Sequence, residues 1–135
     1  MKKLLFAIAI GIAFQSCNNK TSFLTSSVVP AAEGTVKIQN DKNNNYKIDL
    51  EVMRLADPGR LSPPKSHYVV WIETERNGMK NIGQLTTSSG LMSKALKSSL
   101  ETVTSFRPKE ILITAENEAN IQYPGSQVVL RTGSL

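Results

Sequence analysis

From Gly34 onward the hydrophobic positions recur mostly at every second residue, the period of a strand with one buried face. Val36 and Ile38 alternate with Lys37 and Gln39, and Tyr46, Ile48, Leu50 and Val52 alternate with Lys47, Asp49 and Glu51. After Val52 the phase slips to Met53 and Leu55, as a β-bulge would produce. Tyr68 to Ile72 is apolar on both faces, which predicts a strand at the centre of a sheet. Asn77-Gly78 lies between two strand-like runs and predicts a hairpin with a type I′ turn, because that turn needs positive φ twice. Ile82 to Leu85 is the return strand. Ile111–Ile113 and Val128–Leu130 are two further short strands, separated by a Tyr123-Pro124-Gly125-Ser126 turn.

Over residues 90–106 two periods compete. Leu96, Leu100 and Val103 fit a helix, whereas Leu100, Thr102 and Thr104 alternate as in a strand. The surroundings favour a strand near Lys94–Thr104, because many short strands in roughly 100 residues are the pattern of an antiparallel sandwich. The prediction is all-β: an antiparallel β-sandwich of about seven strands, with Pro63-Pro64 inside a long loop, residues 56–67.

The beginning of the chain reads differently. Lys2 and Lys3 precede an apolar run from Leu4 to Phe14, too short to cross a hydrocarbon layer of about 30 Å but suited to a secretory signal. The run ends in Gln15-Ser16-Cys17, which resembles the lipobox of bacterial lipoproteins, where the signal is cut before a cysteine that is then acylated. Phe14 and Gln15 stand in place of the usual Leu and small residue, a looser pattern similar to lipoproteins of the Bacteroidota. The alternative is a free or buried Cys17 in a plain secreted protein. The division expected is a signal peptide over 1–16, a polar tether over 17–33 and a β-sandwich domain over 34–135. Acylated Cys17 would hold the chain to a membrane of the cell envelope. Asn18-Asn19-Lys20 lacks the acid-rich surface-export signal of some such lipoproteins, which favours the periplasmic side.

Composition narrows the function. One Cys and one His among 135 residues exclude an internal disulfide and a four-ligand Cys/His zinc site. A formal charge of +5 falls to +3 once Lys2 and Lys3 leave with the signal, and the remaining basic residues are scattered among acids. No basic stripe with interleaved aromatics is present, so nucleic acid is not an expected partner. No cofactor is expected.

Tyr68-Val-Val-Trp71, Ile82-Gly83-Gln-Leu85, Ile113-Thr114-Ala115-Glu116 and Pro124-Gly-Ser-Gln-Val-Val-Leu130-Arg-Thr-Gly133 occur in the order found in the extracytoplasmic C-terminal domain of anti-sigma-K factors, which this chain resembles over about two thirds of its mature length. The resemblance implies an immunoglobulin-like β-sandwich. The chain carries neither the sigma-binding zinc domain nor the transmembrane helix of such a regulator, so what carries over is the fold.

Candidate chemistry is sparse. His67 beside Ser66 lacks the constellation that catalysis needs, and no serine lies in a Gly-x-Ser-x-Gly elbow. Asp41, Asn43 and Asn45 open like a calcium loop, but Tyr46 and Val52 stand where that loop needs Gly and Glu; a polar hairpin turn is expected. Glu73 and Glu75 share one strand face, as do Glu116 and Glu118. Antiparallel pairing of their strands sends Glu73 and Glu75 toward Glu110, and Glu116 and Glu118 toward Lys65 and His67, leaving a solvated acidic edge. If Val70 and Ile72 point into the core, then Val69, Trp71 and Leu112 point out as an exposed apolar patch. The competing arrangement, placed first, has Trp71 as the sandwich's core tryptophan and Tyr68 facing outward. Candidate binding residues are therefore Trp71, Val69 and Leu112, with Arg60, Lys65 and His67 of the long loop. The function expected is a lipid-anchored, non-catalytic module that binds a protein or envelope component, with an accessory part in signalling as one form of that role. The alternative is a small-molecule or carbohydrate-binding module, or a small hydrolase with a loop site.

Overall fold

The computed structural model describes residues 20–88 and 96–135. Within them the strands are β1 (Lys20–Ser22), β2 (Glu33–Asn40), β3 (Tyr46–Met53), β4 (His67–Glu73), β5 (Met79–Gln84), β6 (Thr86–Ser88), β7 (Lys97–Thr104), β8 (Glu110–Glu116) and β9 (Val128–Arg131). They form two antiparallel sheets, ordered β1-β2-β3-β7-β6 and β5-β4-β8-β9. Setting aside β1 and β5, the orders β2-β3-β7-β6 and β4-β8-β9 are those of strands ABED and CFG in the constant-type immunoglobulin sandwich. The core lies between the inner faces of the two sheets. Val36, Ile48, Leu50 and Val52 come from one, and Tyr68, Val70, Ile72, Ile111, Ile113 and Leu130 from the other.

The disputed segment is a strand from Lys97 to Thr104, in unbroken register with β3 from Tyr46↔Thr104 to Met53↔Lys97. Its outer face is tied by ion pairs Lys47–Glu101 at 2.8 Å and Lys97–Glu51 at 2.9 Å. The start placed at Lys94 lies outside the described residues. Sheet pairing overrides the helical spacing of Leu96, Leu100 and Val103, because β3 needs a partner on this side for its backbone groups.

Three expectations are corrected. The phase slip after Val52 is not a bulge, since β3 pairs with β2 without a shift to Met53↔Glu33. The strand stops because Arg54 takes a left-handed conformation, φ 56°, and this turns Leu55 back into the core. The β4–β5 hairpin is present, but its turn is not type I′: of its residues only Gly78 has positive φ, +67°. Thr74 closes it instead, its backbone N–H and its hydroxyl both donating to the Gly78 carbonyl at 3.0 and 2.8 Å, while its Oγ accepts from the Asn77 amide. The third correction concerns the tether. Residues 20–33 belong to the domain: β1 pairs with β2, the Leu24 amide donates to the Arg131 carbonyl, Ser26 Oγ donates to the Val129 carbonyl at 2.6 Å, and Val29 and Ala32 are buried in the core.

Tyr68 faces inward, not outward. Its hydroxyl donates to the Ala56 carbonyl at 2.6 Å, which pins the long loop to the core. Burial first, and the Asp57 carboxylate second, push its phenol up to about 12. An unfolded tyrosine ionises near pH 10, so between about pH 10 and 12 the unfolded chain releases a proton that the folded chain keeps. Stability is therefore full below pH 10 and falls through that window. Urea unfolding of the wild type should show a steeper loss of stability from pH 9.5 to 11.5 than Tyr68→Phe, which at pH 7 should be weaker by about 1 kcal/mol for the lost hydrogen bond.

Candidate functional site

β4 and β8 are apolar on both faces, so the face turned away from the sandwich must also be covered. Val69, Trp71 and Leu112 form a second small core there, with Met79, Ala119 and Ile121 packed against it. The expected exposed patch is thus corrected. The three residues do meet on the outer face, yet Val69 and Trp71 are wholly buried and Leu112 is 7% exposed. Nor is Trp71 the tryptophan of the inter-sheet core. The segment 117–127, between β8 and β9, lies over them.

Two polar clasps hold that segment down. In the first, Trp71 Nε1 donates to Thr114 Oγ1 at 2.8 Å, Thr114 Oγ1 donates to Glu116 Oε1 at 2.6 Å, and the Gly125 amide donates to the same oxygen at 2.7 Å. Glu116 is therefore buried and hydrogen-bonded, not part of a solvated acidic edge. A Cβ at Gly125 would stand 2.7 Å from Glu116 Oε2, so a larger residue there would have to displace the carboxylate. In the second clasp, Asn81 Nδ2 donates to the carbonyls of Ala119 and Ile121, both at 2.9 Å, while its Oδ1 accepts from the Gly83 amide. A register shift between Val70 and Trp71 sets Asn81 opposite Trp71, so the irregularity aims the amide at the loop.

Between β5 and the clasped loop runs an open groove of about 770 Å³, lined by Asn77, Met79, Asn81, Gln84, Asn120, Gln122 and Tyr123 among others. Tyr123 is 78% exposed. Lys80 is the charged residue along the groove, and its ammonium sits 5.2 Å from the Phe106 ring centre. Amide side chains, each donor and acceptor at once, thus dominate the polar lining.

A smaller cavity of about 380 Å³ is lined by Ser62, Lys65, Glu116, Ser126 and Gln127. It places Lys65 of the candidate loop near the end of the Trp71–Thr114–Glu116 chain. Arg60 lies in a short 3-10 turn capped by Asp57, whose carboxylate accepts from the Gly59 amide, and it borders neither of these cavities. His67 pairs in register with Glu116, and Glu73 with Glu110, so the four carboxylates separate as antiparallel pairing requires. Asp41 closes its hairpin by accepting from the Asn43 and Asn45 amides at 2.8 and 2.9 Å, and the Asn45 amide foremost lowers its pKa. Among the described residues no group of three His, Cys, Asp or Glu side chains could hold a metal ion. Sequence reasoning missed the groove and both clasps. The signals were Thr114 on an apolar strand and Asn81 on an edge, neither of which announces a partner.

The chain matches no protein-family model, no curated protein and no solved structure.

Thr114→Val should cost about 2–4 kcal/mol, because it leaves the Trp71 N–H and the Glu116 carboxylate each short of a buried partner. Denaturation measures the loss. Trp71 fluorescence should resist iodide in the wild type and become quenchable in Thr114→Val below its unfolding transition, as the loop lifts.

Proposed function

We propose that this chain is a lipid-anchored, non-catalytic binding module of the cell envelope, held by acylated Cys17 on the periplasmic side, and that it takes its ligand in the groove between β5 and the 117–127 loop. The observation that carries this reading is the groove's lining: neutral amides with a protruding tyrosine, over a floor made rigid by the buried Trp71 cluster. Side chains that donate and accept together suit a neutral polyhydroxylated ligand, and an exposed aromatic ring offers it an apolar face. The envelope component that fits is a neutral glycan. His67, the one histidine, borders neither the groove nor the smaller cavity, which favours binding over hydrolysis.

Kinship with the extracytoplasmic domain of anti-sigma-K factors is proposed at the level of architecture. It is supported by the fall of the four resembling segments on β4, β5, β8 and β9. A role accessory to signalling would need a protein partner, for which the edge strand β5 offers unpaired backbone, the outer carbonyls of β9 being taken by Leu24 and Ser26.

Soluble neutral oligosaccharides offered to the protein on an array should be retained. Tyr123→Ala removes an exposed side chain that makes none of the clasps' hydrogen bonds, so it should weaken retention about tenfold while leaving the urea midpoint unchanged. Absence of glycan binding, together with one stoichiometric protein recovered by crosslinking, would replace the glycan with that protein.

A further inference from the structure

β1 fixes at which end of the sandwich the chain enters the domain. Lys20 opens β1 and pairs with Lys37, so β1 runs antiparallel to β2 and away from the β2–β3 turn. The chain therefore enters the domain at the end formed by the turns 41–45, 74–78 and 105–109. Tyr46↔Thr104 and Glu73↔Glu110 put these three turns together. Cys17 precedes Lys20 by three positions, and three residues of fully extended chain reach at most about 11 Å. The tether that the composition suggested would have let the domain roam; the paired β1 removes that freedom.

The charges of the two ends differ. At the entry end the exposed ionisable residues of the turns and of Lys20 are Lys20, Lys42, Arg76, Arg107 and Lys109 against Asp41 and Glu75. The Asp41 carboxylate is already engaged by backbone amides. The nearby strand-end carboxylates Glu101 and Glu110 are paired, with Lys47 and Arg131, and Glu73 stands beside Glu110. At the opposite end the described 54–66 loop and the start of the 117–127 loop carry Arg54, Arg60 and Lys65 against Asp57 and Glu118. Arg54 is paired with Glu33 at 2.8 Å, and buried Glu116 lies beneath the 117–127 loop. Among the described residues the surplus of unpaired cations is at the entry end.

We propose that the 41–45, 74–78 and 105–109 end is a membrane-docking surface. With Cys17 acylated, it lies against the bilayer and its lysines and arginines contact anionic phospholipid headgroups. This inference rests on the lipoprotein reading above. The reach of the connecting residues is comparable to the distance over which exposed charges act, about 10 Å at 0.1 M salt, so lipid and cations work on the same surface. The 54–66 loop is then held at the far end, away from the bilayer, while the 117–127 loop starts and ends there and folds its middle back over the sheet to Met79 and Asn81.

The test uses the full chain, purified from a bacterium that lipidates it and reconstituted in vesicles rich in phosphatidylglycerol with a headgroup-borne quencher. The sole native thiol is consumed by the lipid, so Asn43→Cys and Asn117→Cys, both uncharged replacements at exposed positions, give one label site each. Quenching at 43 should exceed that at 117 by about fivefold, in keeping with the short Debye distance. High salt, and separately Lys42→Glu with Arg107→Glu and Lys109→Glu, should both reduce it. An intact mass without acyl chains would overturn this surface and the lipoprotein reading together. Acylated protein quenched equally at both positions would overturn the docking surface alone. Quenching confined to 43 but indifferent to salt and to charge reversal would overturn the headgroup contact.

Discussion

A strand pair that is apolar on both faces must be covered on both, and the rest of this structure follows from how the second face is covered. The five-stranded sheet shields Val70, Ile72, Ile111 and Ile113. On the other side a loop covers Val69, Trp71 and Leu112. Removing side chains of this size from water contributes about 1.5–3 kcal/mol each, but a loop has no ladder of its own to keep it in place. Glu116 and Asn81 supply the missing bonds. A buried carboxylate is costly unless its oxygens are satisfied. The Thr114 hydroxyl and the Gly125 amide both donate to Oε1, fastening both ends of the contact, and Trp71 finds a partner for its indole N–H in the same chain of bonds.

The candidate site is a by-product of that cover. β5 is an edge strand and the loop reaches it through the Asn81 side chain alone among the described hydrogen bonds. The two surfaces therefore part on either side of that clasp, and the space between them is the groove. Its walls are one edge strand and one clasped loop, each fixed by bonds to the interior, so the amides and Tyr123 project from a rigid base. The same topology separates the molecule's two ends. The turns with excess positive charge stand where the chain enters the domain, and the long 54–66 loop stands at the other.

Much of the fold was legible because its elements are local. Alternation in Tyr46–Val52, the doubly apolar Tyr68–Ile72 run and the Asn77-Gly78 corner each carry their own signal within a few residues. Antiparallel pairing of β4 with β8 was legible too, and it placed Glu116 by His67 and Glu73 by Glu110. What could not be read were contacts between residues far apart in sequence. Asn81 grips carbonyls about forty positions away, and Ser26 reaches Val129 across 103. For the latter reason the Ser/Thr-rich stretch before Glu33 looks like a linker by composition and yet is part of the domain.

By itself, then, the sequence determined the class of structure and the parity of its strands, because side-chain alternation is a property of neighbouring residues. It put Val70 and Ile72 on one face and Val69 and Trp71 on the other. Only the tertiary structure decided what met each face. Burial of Trp71 depends on a loop that is polar at many positions, drawn over the sheet by one carboxylate and one amide. Such a contact has no period in the sequence, because the chain that covers a surface need not resemble the surface it covers.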